Sequence, residues 1–308
     1  MPLRHAIIAA ALALVAAPQA QAAPAPALPI TEGTSQVQHP TWAKSATIYE
    51  VNIRQYTPEG TFRAFEPHLP RLRKMGVDVL WIMPINPISK VMRKGSLGSY
   101  YAVSDYLAVN PEYGDEADFQ HLVKTAHKLG FKVILDWVAN HTGWDHVWTQ
   151  QHPDWYKRNA KGELEGYHYT DLSDHHEEVW ADVIGLDYSK PAVRDAMIEA
   201  MGYWVKSADI DGFRCDVAWT LPVEFWDEAR TRLDRIKPMF MLAEADTPEM
   251  QHRAFDMTYD WGLYHLLIKV ARGEANARDL GAYYTAPARR YPAGAYRMTF
   301  TSNHDENS

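Results

Sequence analysis

Short apolar runs alternate with longer segments of helical periodicity along most of the chain, beginning near Ile48. Apolar runs bounded by turn signals predict strands, whereas apolar residues that recur every three or four positions predict amphipathic helices. Regular alternation of the two indicates a parallel sheet covered by helices, the α/β class. The predicted strands cover residues 46–53, 77–85, a run beginning at 132, then 212–218, 239–243, 255–261 and 297–301.

The predicted helices carry recognisable start and stop signals. Asp115 is placed to cap a helix that ends before Gly130, and Pro222 lies in the first turn of a later helix. The predicted helices cover residues 62–75, 116–129, 191–208, 222–236 and 263–272.

Seven strands with covering helices predict a (β/α)8 TIM barrel that is incomplete, with about seven βα units. Such a barrel takes ~250 residues as one domain, and this chain has 308. Because a closed barrel of this type has eight strands, the first and seventh are expected to expose unpaired backbone edges. We therefore predict that the chain is a truncated piece of a longer protein, neither stable nor active alone.

Regular periodicity fails between His141 and Tyr188, where Trp, His, Asp and Gly become frequent. A connection of this length without a pattern is too long for an ordinary βα loop. We predict a small irregular domain over residues 141–188, inserted after the third strand. The barrel then comprises residues 42–140 and 189–308.

The N-terminus has the layout of a secretory signal. Basic residues precede an apolar run at 6–17, and the small-residue triplet Ala20-Gln21-Ala22 follows it. This pattern predicts a signal peptide at 1–22, too short to span a membrane, and a disordered lead-in at 23–41. The mature protein is expected to be exported, periplasmic or secreted, with no membrane segment.

Composition excludes some classes of function. The net charge of −8 argues against a nucleic-acid partner, and a hydrophobic fraction of 46% is ample for a core. A single cysteine, Cys215, precludes an internal disulfide. Its place on an apolar strand predicts a buried structural thiol.

Acidic residues follow the carboxyl ends of four predicted strands: Asp136, Asp216, Glu244 and Asp305. The carboxyl ends of the strands of a parallel barrel meet on one face. We therefore expect these four carboxylates to converge on a single site.

The strand 212–218 alternates two kinds of residue. Phe213, Cys215 and Val217 are expected to face one way, while Arg214 and Asp216 face the other. A buried carboxylate is costly unless paired, so Arg214 is expected to keep Asp216 ionised, as suits a nucleophile. A purely structural ion pair is the alternative for this heptapeptide taken alone.

These segments, in their order and spacing, resemble the four motifs of the α-amylase family, glycoside hydrolase family 13. The resemblance extends from about Ile48 to the last residue and includes the tyrosine-rich stretch at 100–106. The matching segments are 136–141, 212–217, Glu244 and 302–305.

The resemblance implies a retaining enzyme that cleaves α-glucosidic bonds. It assigns Asp216 as nucleophile, Glu244 as acid/base and Asp305 as a stabiliser of the transition state. Near other carboxylates and an apolar strand, Glu244 is expected to hold its proton longer than Asp216. In retaining enzymes the two carboxyl groups are ~5–5.5 Å apart, and we expect that separation here.

The resemblance also implies contacts to the sugar at the cleavage point. His141 and His304 are expected to hydrogen-bond the sugar, and Tyr101 to stack beneath it, although each residue type also serves structural roles. Asp136 is expected to orient Arg214.

Calcium is a further expectation from the resemblance. Asn140 matches a residue that helps to bind calcium in calcium-dependent members, and Asp174 or Asp187 could add carboxylate ligands. The chain departs from many of those members at 217–219, which reads Val-Ala-Trp in place of a Lys-His pair.

The leading hypothesis is thus an exported hydrolase of starch-like α-glucans or maltooligosaccharides. An α-glucan transglycosylase shares the same four motifs and remains an alternative. A non-catalytic glycan-binding relative is the alternative from another class, although the intact acidic trio argues against it.

Overall fold

The computed structural model describes residues 33–170, 176–286 and 291–306. The predicted signal peptide and residues 23–32 of the lead-in lie outside this range. The strands are β1 Ile48–Val51, β2 Val79–Ile82, β3 Lys132–Trp137, β4 His141–Gly143, β5 Tyr167–Thr170, β6 Glu177–Trp180, β7 Val183–Gly185, β8 Gly212–Cys215, β9 Phe240–Ala243, β10 Met257–Tyr259 and β11 Tyr296–Met298. The α-helices are α1 Ile53–Tyr56, α2 Phe62–Phe65, α3 Leu69–Lys74, α4 Glu116–Lys128, α5 Val147–Gln151, α6 Pro191–Ala208, α7 Val223–Asp234, α8 Trp261–Ala271 and α9 Ala277–Thr285.

One parallel sheet of seven strands, in the order β1-β2-β3-β8-β9-β10-β11, organises the chain. The sheet curls until residues of β1 and β11 line one groove of about 790 Å³. Within the described residues, β1 pairs only with β2, and β11 only with β10. The predicted α/β class and incomplete (β/α)8 barrel are therefore confirmed.

Alternation along the strands divides the core into two layers. On β2, Val79 and Trp81 pack inside the barrel with residues of β9 and β10, whereas Leu80 and Ile82 pack outward among the helix side chains. The strands are apolar on both faces because the sheet is buried on both faces.

Two helix predictions need correction. The helix predicted at 62–75 is broken into α2, a 3-10 turn at Glu66–His68 and α3, because Pro67 and Pro70 have no backbone N–H to donate. Helix α9 was not predicted, although Asn276 and Asp279 form a capping box at its start.

The prediction of a disordered lead-in is wrong for residues 33–41. The Ser35 amide donates to the Ala293 carbonyl at 2.9 Å, and His39 lies 2.8 Å from the buried Asp256. These residues are ordered because their polar groups find partners on the barrel.

The inserted segment after β3 contains more regular structure than predicted. Strands β4 and β7 pair antiparallel, as do β5 and β6. Each pair is only three or four residues long, so neither gives a strong alternating pattern in the sequence. Among the described residues, no helix combines the length and apolar character needed to cross a membrane.

Candidate active site

Arg214 on β8 is the centre of the site and is fully buried. The strand register places it beside Asp136 of β3. Its Nη1 donates to Oδ1 of Asp136 and to Oδ1 of Asp216, both at 2.9 Å. Its Nη2 lies 3.0 Å from Oε2 of Glu244. The structure thus brings three of the four predicted carboxylates onto one guanidinium.

The excess of negative charge in this cluster corrects the expectation that Arg214 keeps Asp216 ionised. Burial raises the pKa of Asp216 well above its usual range, the neighbouring Glu244 raises it further, and Arg214 only partly opposes them. The pKa of Asp136 is also raised, again chiefly by burial. One guanidinium is shared by three carboxylates, so Arg214 only partly offsets the rise in the pKa of Asp216.

Val217 departs from the predicted alternation. Strand β8 ends at Cys215, and Val217 adopts a left-handed backbone with φ of 35°. Val217 therefore lines the cleft and does not continue the outward face of Phe213 and Cys215. Its amide donates to Oε2 of Glu244 at 2.6 Å. This conformation is strained for a β-branched residue and orients the Glu244 carboxylate.

A second polar cluster joins Tyr101 to His304. The Tyr101 hydroxyl donates to Oδ2 of Asp136 at 3.1 Å and lies 2.8 Å from Nε2 of His304. The two rings stack at 5.4 Å. Nδ1 of His304 lies 2.6 Å from Glu50, and Nε2 lies 3.0 Å from Asp305.

This cluster fixes the charge of His304. Burial lowers its pKa, but hydrogen bonds to Asp305 and Glu50 outweigh burial and raise it to about 10. Although burial opposes the charged form of Asp305, the hydrogen bond from His304 lowers the pKa of this carboxyl. The imidazolium and the Asp305 carboxylate therefore form a charged pair at neutral pH.

The cleft above these clusters has a volume of about 380 Å³. Asp136 and Arg214 lie buried beneath it. Six of the predicted site residues line it, namely Tyr101, His141, Asp216, Glu244, His304 and Asp305.

His141 contributes a neutral imidazole to the cleft. Burial lowers its pKa to about 4, so the ring is uncharged at neutral pH and can both donate and accept a hydrogen bond.

The described residues proposed for calcium contact neighbouring side chains in this structure. The Asn140 side-chain amide lies 3.1 Å from Nδ1 of His141, and the Asp187 carboxylate accepts from Ser189. Asp174 lies outside the described residues. Among those that are described, no group of three or more His, Cys, Asp or Glu side chains could hold a metal ion. The calcium site expected from the resemblance stays a prediction.

Several contributors to the site escaped the sequence analysis. Trp81 donates to Asp136 at 3.0 Å, and the Tyr259 hydroxyl accepts from Nε of Arg214 at 3.1 Å. Glu50 could have been identified from the sequence, since it is the acidic residue of an otherwise uncharged strand.

A parallel barrel that carries paired carboxylates at the carboxyl ends of its strands belongs to the class of barrel enzymes with a top-face active site. Residues 41–307 match the family model described as the alpha amylase catalytic domain. The chain therefore belongs to the alpha-amylase family, as its motifs suggested.

Similar proteins carry related names. The chain is 29% identical over 281 residues to "Alpha-amylase MalA" of Haloarcula japonica, covering 87% of this chain and 40% of that protein. It is also 29% identical to an "Alpha-1,4-glucan:maltose-1-phosphate maltosyltransferase" of Rhodospirillum rubrum, covering 87% of this chain and 41% of that protein. The "noncanonic maltogenic alpha-amylase AmyB" of Thermotoga neapolitana superposes with a TM-score of 0.76 at 37% identity, covering 84% of this chain and 60% of that one. The chain thus spans about two fifths of the length of these two curated relatives.

Proposed function

We propose that this protein is a retaining glycoside hydrolase that cleaves α-glucosidic bonds in starch-like glucans or maltooligosaccharides. The observation that carries the proposal is that Asp216 and Glu244 form ion pairs with neighbouring nitrogens of the buried Arg214, at 2.9 and 3.0 Å. This arrangement fixes both carboxyl groups at the floor of one cleft.

The two carboxyl groups divide the reaction between them. An oxygen of Asp216 attacks the anomeric carbon, while Glu244 transfers its proton to the leaving oxygen, so that the glycosidic bond breaks as the glycosyl-Asp216 bond forms. Glu244 then removes a proton from water, whose oxygen attacks the same carbon and releases Asp216.

Groups on the other side of the cleft hold the sugar. Asp305 accepts hydrogen bonds from sugar hydroxyls, His141 and His304 bond the sugar at the cleavage point, and Tyr101 stacks beneath it. Through Arg214, Asp136 keeps the nucleophile in place.

The experiment is to incubate the protein with maltoheptaose, pullulan and sucrose, and to identify the products. Proton NMR of the first product formed should show the α anomer, whereas initial β anomer would exclude retention and a glycosyl-Asp216 intermediate.

The alternative function is transfer of the glycosyl group to a second glucan. The maltosyltransferase name of one relative favours it. A product ladder longer than the starting maltoheptaose would identify transfer as the main reaction.

We also propose that the protein is exported, periplasmic or secreted. Cell fractionation tests this proposal.

A further inference from the structure

The inserted hairpin of β5 and β6 presents an aromatic wall to the cleft. The wall consists of Tyr169 and Trp180, whose rings stack with centroids 4.6 Å apart and planes inclined by 17°. The Trp180 ring also meets His141 edge-on at 5.6 Å. Both wall residues are half-buried and line the cleft together with Asp216 and Glu244.

The wall is attached to the segment that orients Glu244. Tyr169 contacts Trp219 at 5.7 Å, two residues beyond Val217, whose amide bonds the Glu244 carboxylate. The Ala218 amide also donates to the Glu244 carbonyl at 3.2 Å. The aromatic wall and the proposed proton donor therefore belong to one connected side of the cleft.

The charged pair of His304 and Asp305 lies on the other side. These residues follow β11, which is four strands from β3 in the sheet order, and His304 is bonded to Glu50 of β1. In the mechanism proposed above, the sugar that becomes attached to Asp216 lies near His304 and Tyr101. In that mechanism the departing group takes its proton from Glu244, beside the wall.

We propose that Trp180 and Tyr169 form the binding subsite for the sugar on the leaving-group side of the cleaved bond. The same subsite receives the acceptor sugar in any transfer reaction. Pyranose rings have apolar C–H faces, and aromatic rings offer them a large rigid surface to pack against. Glu178 also lines the cleft and accepts a hydrogen bond from the Trp180 indole, so a carboxylate for sugar hydroxyls lies beside the wall.

This inference rests on the proposed function. Two substrates distinguish a failure of the inference from a failure of the proposed function. Maltoheptaose needs the leaving-group subsite, whereas α-maltosyl fluoride releases fluoride and leaves that subsite empty. For Trp180→Ala, kcat/KM on maltoheptaose should fall about 10- to 100-fold, while kcat/KM on the fluoride stays within about twofold. Trp180→Phe should recover most of the loss.

Other outcomes have distinct meanings. Equal losses on both substrates, or no loss on either, would overturn the assignment to the leaving-group side. A wild-type protein that is folded, as shown by a cooperative thermal melt, but cleaves neither substrate would overturn the proposed function and this inference together. Tyr284→Ala is the matched control, because that ring is 63% exposed on α9 and should leave both rates unchanged. Thermal melts of each variant show whether it is folded.

Discussion

The Tyr101 hydroxyl lies 2.8 Å from Nε2 of His304, although 203 positions separate the two residues in the chain. Tyr101 belongs to the loop after β2, and His304 follows β11. Their contact, together with the bond from His304 to Glu50, bridges the seam between β1 and β11 with side chains. The active site therefore depends on the two edges of the sheet keeping their positions.

Glu50→Gln tests this bridge. The pKa of His304 is raised to about 10, above its ordinary value, so its stabilising contribution is complete below about pH 6.5 and is lost as pH rises through about 10. Removing the Glu50 charge should lower stability by about 1–3 kcal/mol at pH 7. Urea unfolding at pH 6, 8 and 10 should show this difference shrinking as pH increases.

A surface ion pair provides the control for that experiment. Glu112 bonds Arg54, but its side chain is 53% exposed, so Glu112→Gln should change stability by less than about 1 kcal/mol. A difference between wild type and Glu50→Gln that stayed constant to pH 10 would contradict the predicted bridge.

Asp216→Asn should separate turnover from binding. The amide cannot form the glycosyl ester, so kcat should fall by roughly 10⁴-fold, whereas the cleft that holds the glucan remains. Calorimetric titration with maltoheptaose should give an affinity similar to that of the wild type. If the variant retained most of its turnover, Asp216 would not be the nucleophile. If the wild type itself bound maltoheptaose without turnover, a non-catalytic glycan-binding role would gain support.

The sequence was informative where a residue's role depends on its own strand. Asp136, Arg214 and Asp216 were predictable because strand ends and alternation place them, and parallel strands bring their carboxyl ends together. The pKa of Asp216 was not predictable, because it depends first on burial and then on how many carboxylates share Arg214. The turn of Val217 into the cleft was also hidden, since a left-handed backbone at valine has no sequence signal.

Gly212→Ala should disrupt the sheet directly below the site. A Cβ at this position would lie 2.0 Å from the carbonyl oxygen of Phe240 on β9. Strands β8 and β9 would have to separate, which should cost about 3 kcal/mol or more and displace Arg214. Gly281→Ala is the control, because nothing lies within 4 Å of its Cβ and alanine favours helix α9 by about 1 kcal/mol. The free energy of unfolding, measured with a chemical denaturant, should therefore fall for Gly212→Ala and rise for Gly281→Ala.

Asp211 should make the stability of the barrel fall in acid. Burial opposes its charge, but hydrogen bonds from His127 and the Val133 amide, together with Lys237, outweigh burial and lower its pKa to about 2. Because the folded-state pKa lies below its ordinary value, the contribution is complete above about pH 4 and is lost as pH falls through about 2. Asp211→Asn should cost about 2 kcal/mol at pH 6.

The pH dependence distinguishes this role from a loss of packing. The difference in unfolding free energy between wild type and Asp211→Asn should shrink as the pH is lowered from 6 to 2.5. Asp209→Asn is a matched control, because Asp209 bonds the same Lys237 but its side chain is 70% exposed, and the change should stay within about 1 kcal/mol. A pH-independent deficit in Asp211→Asn would mean that packing, and not the buried charge, explains its effect.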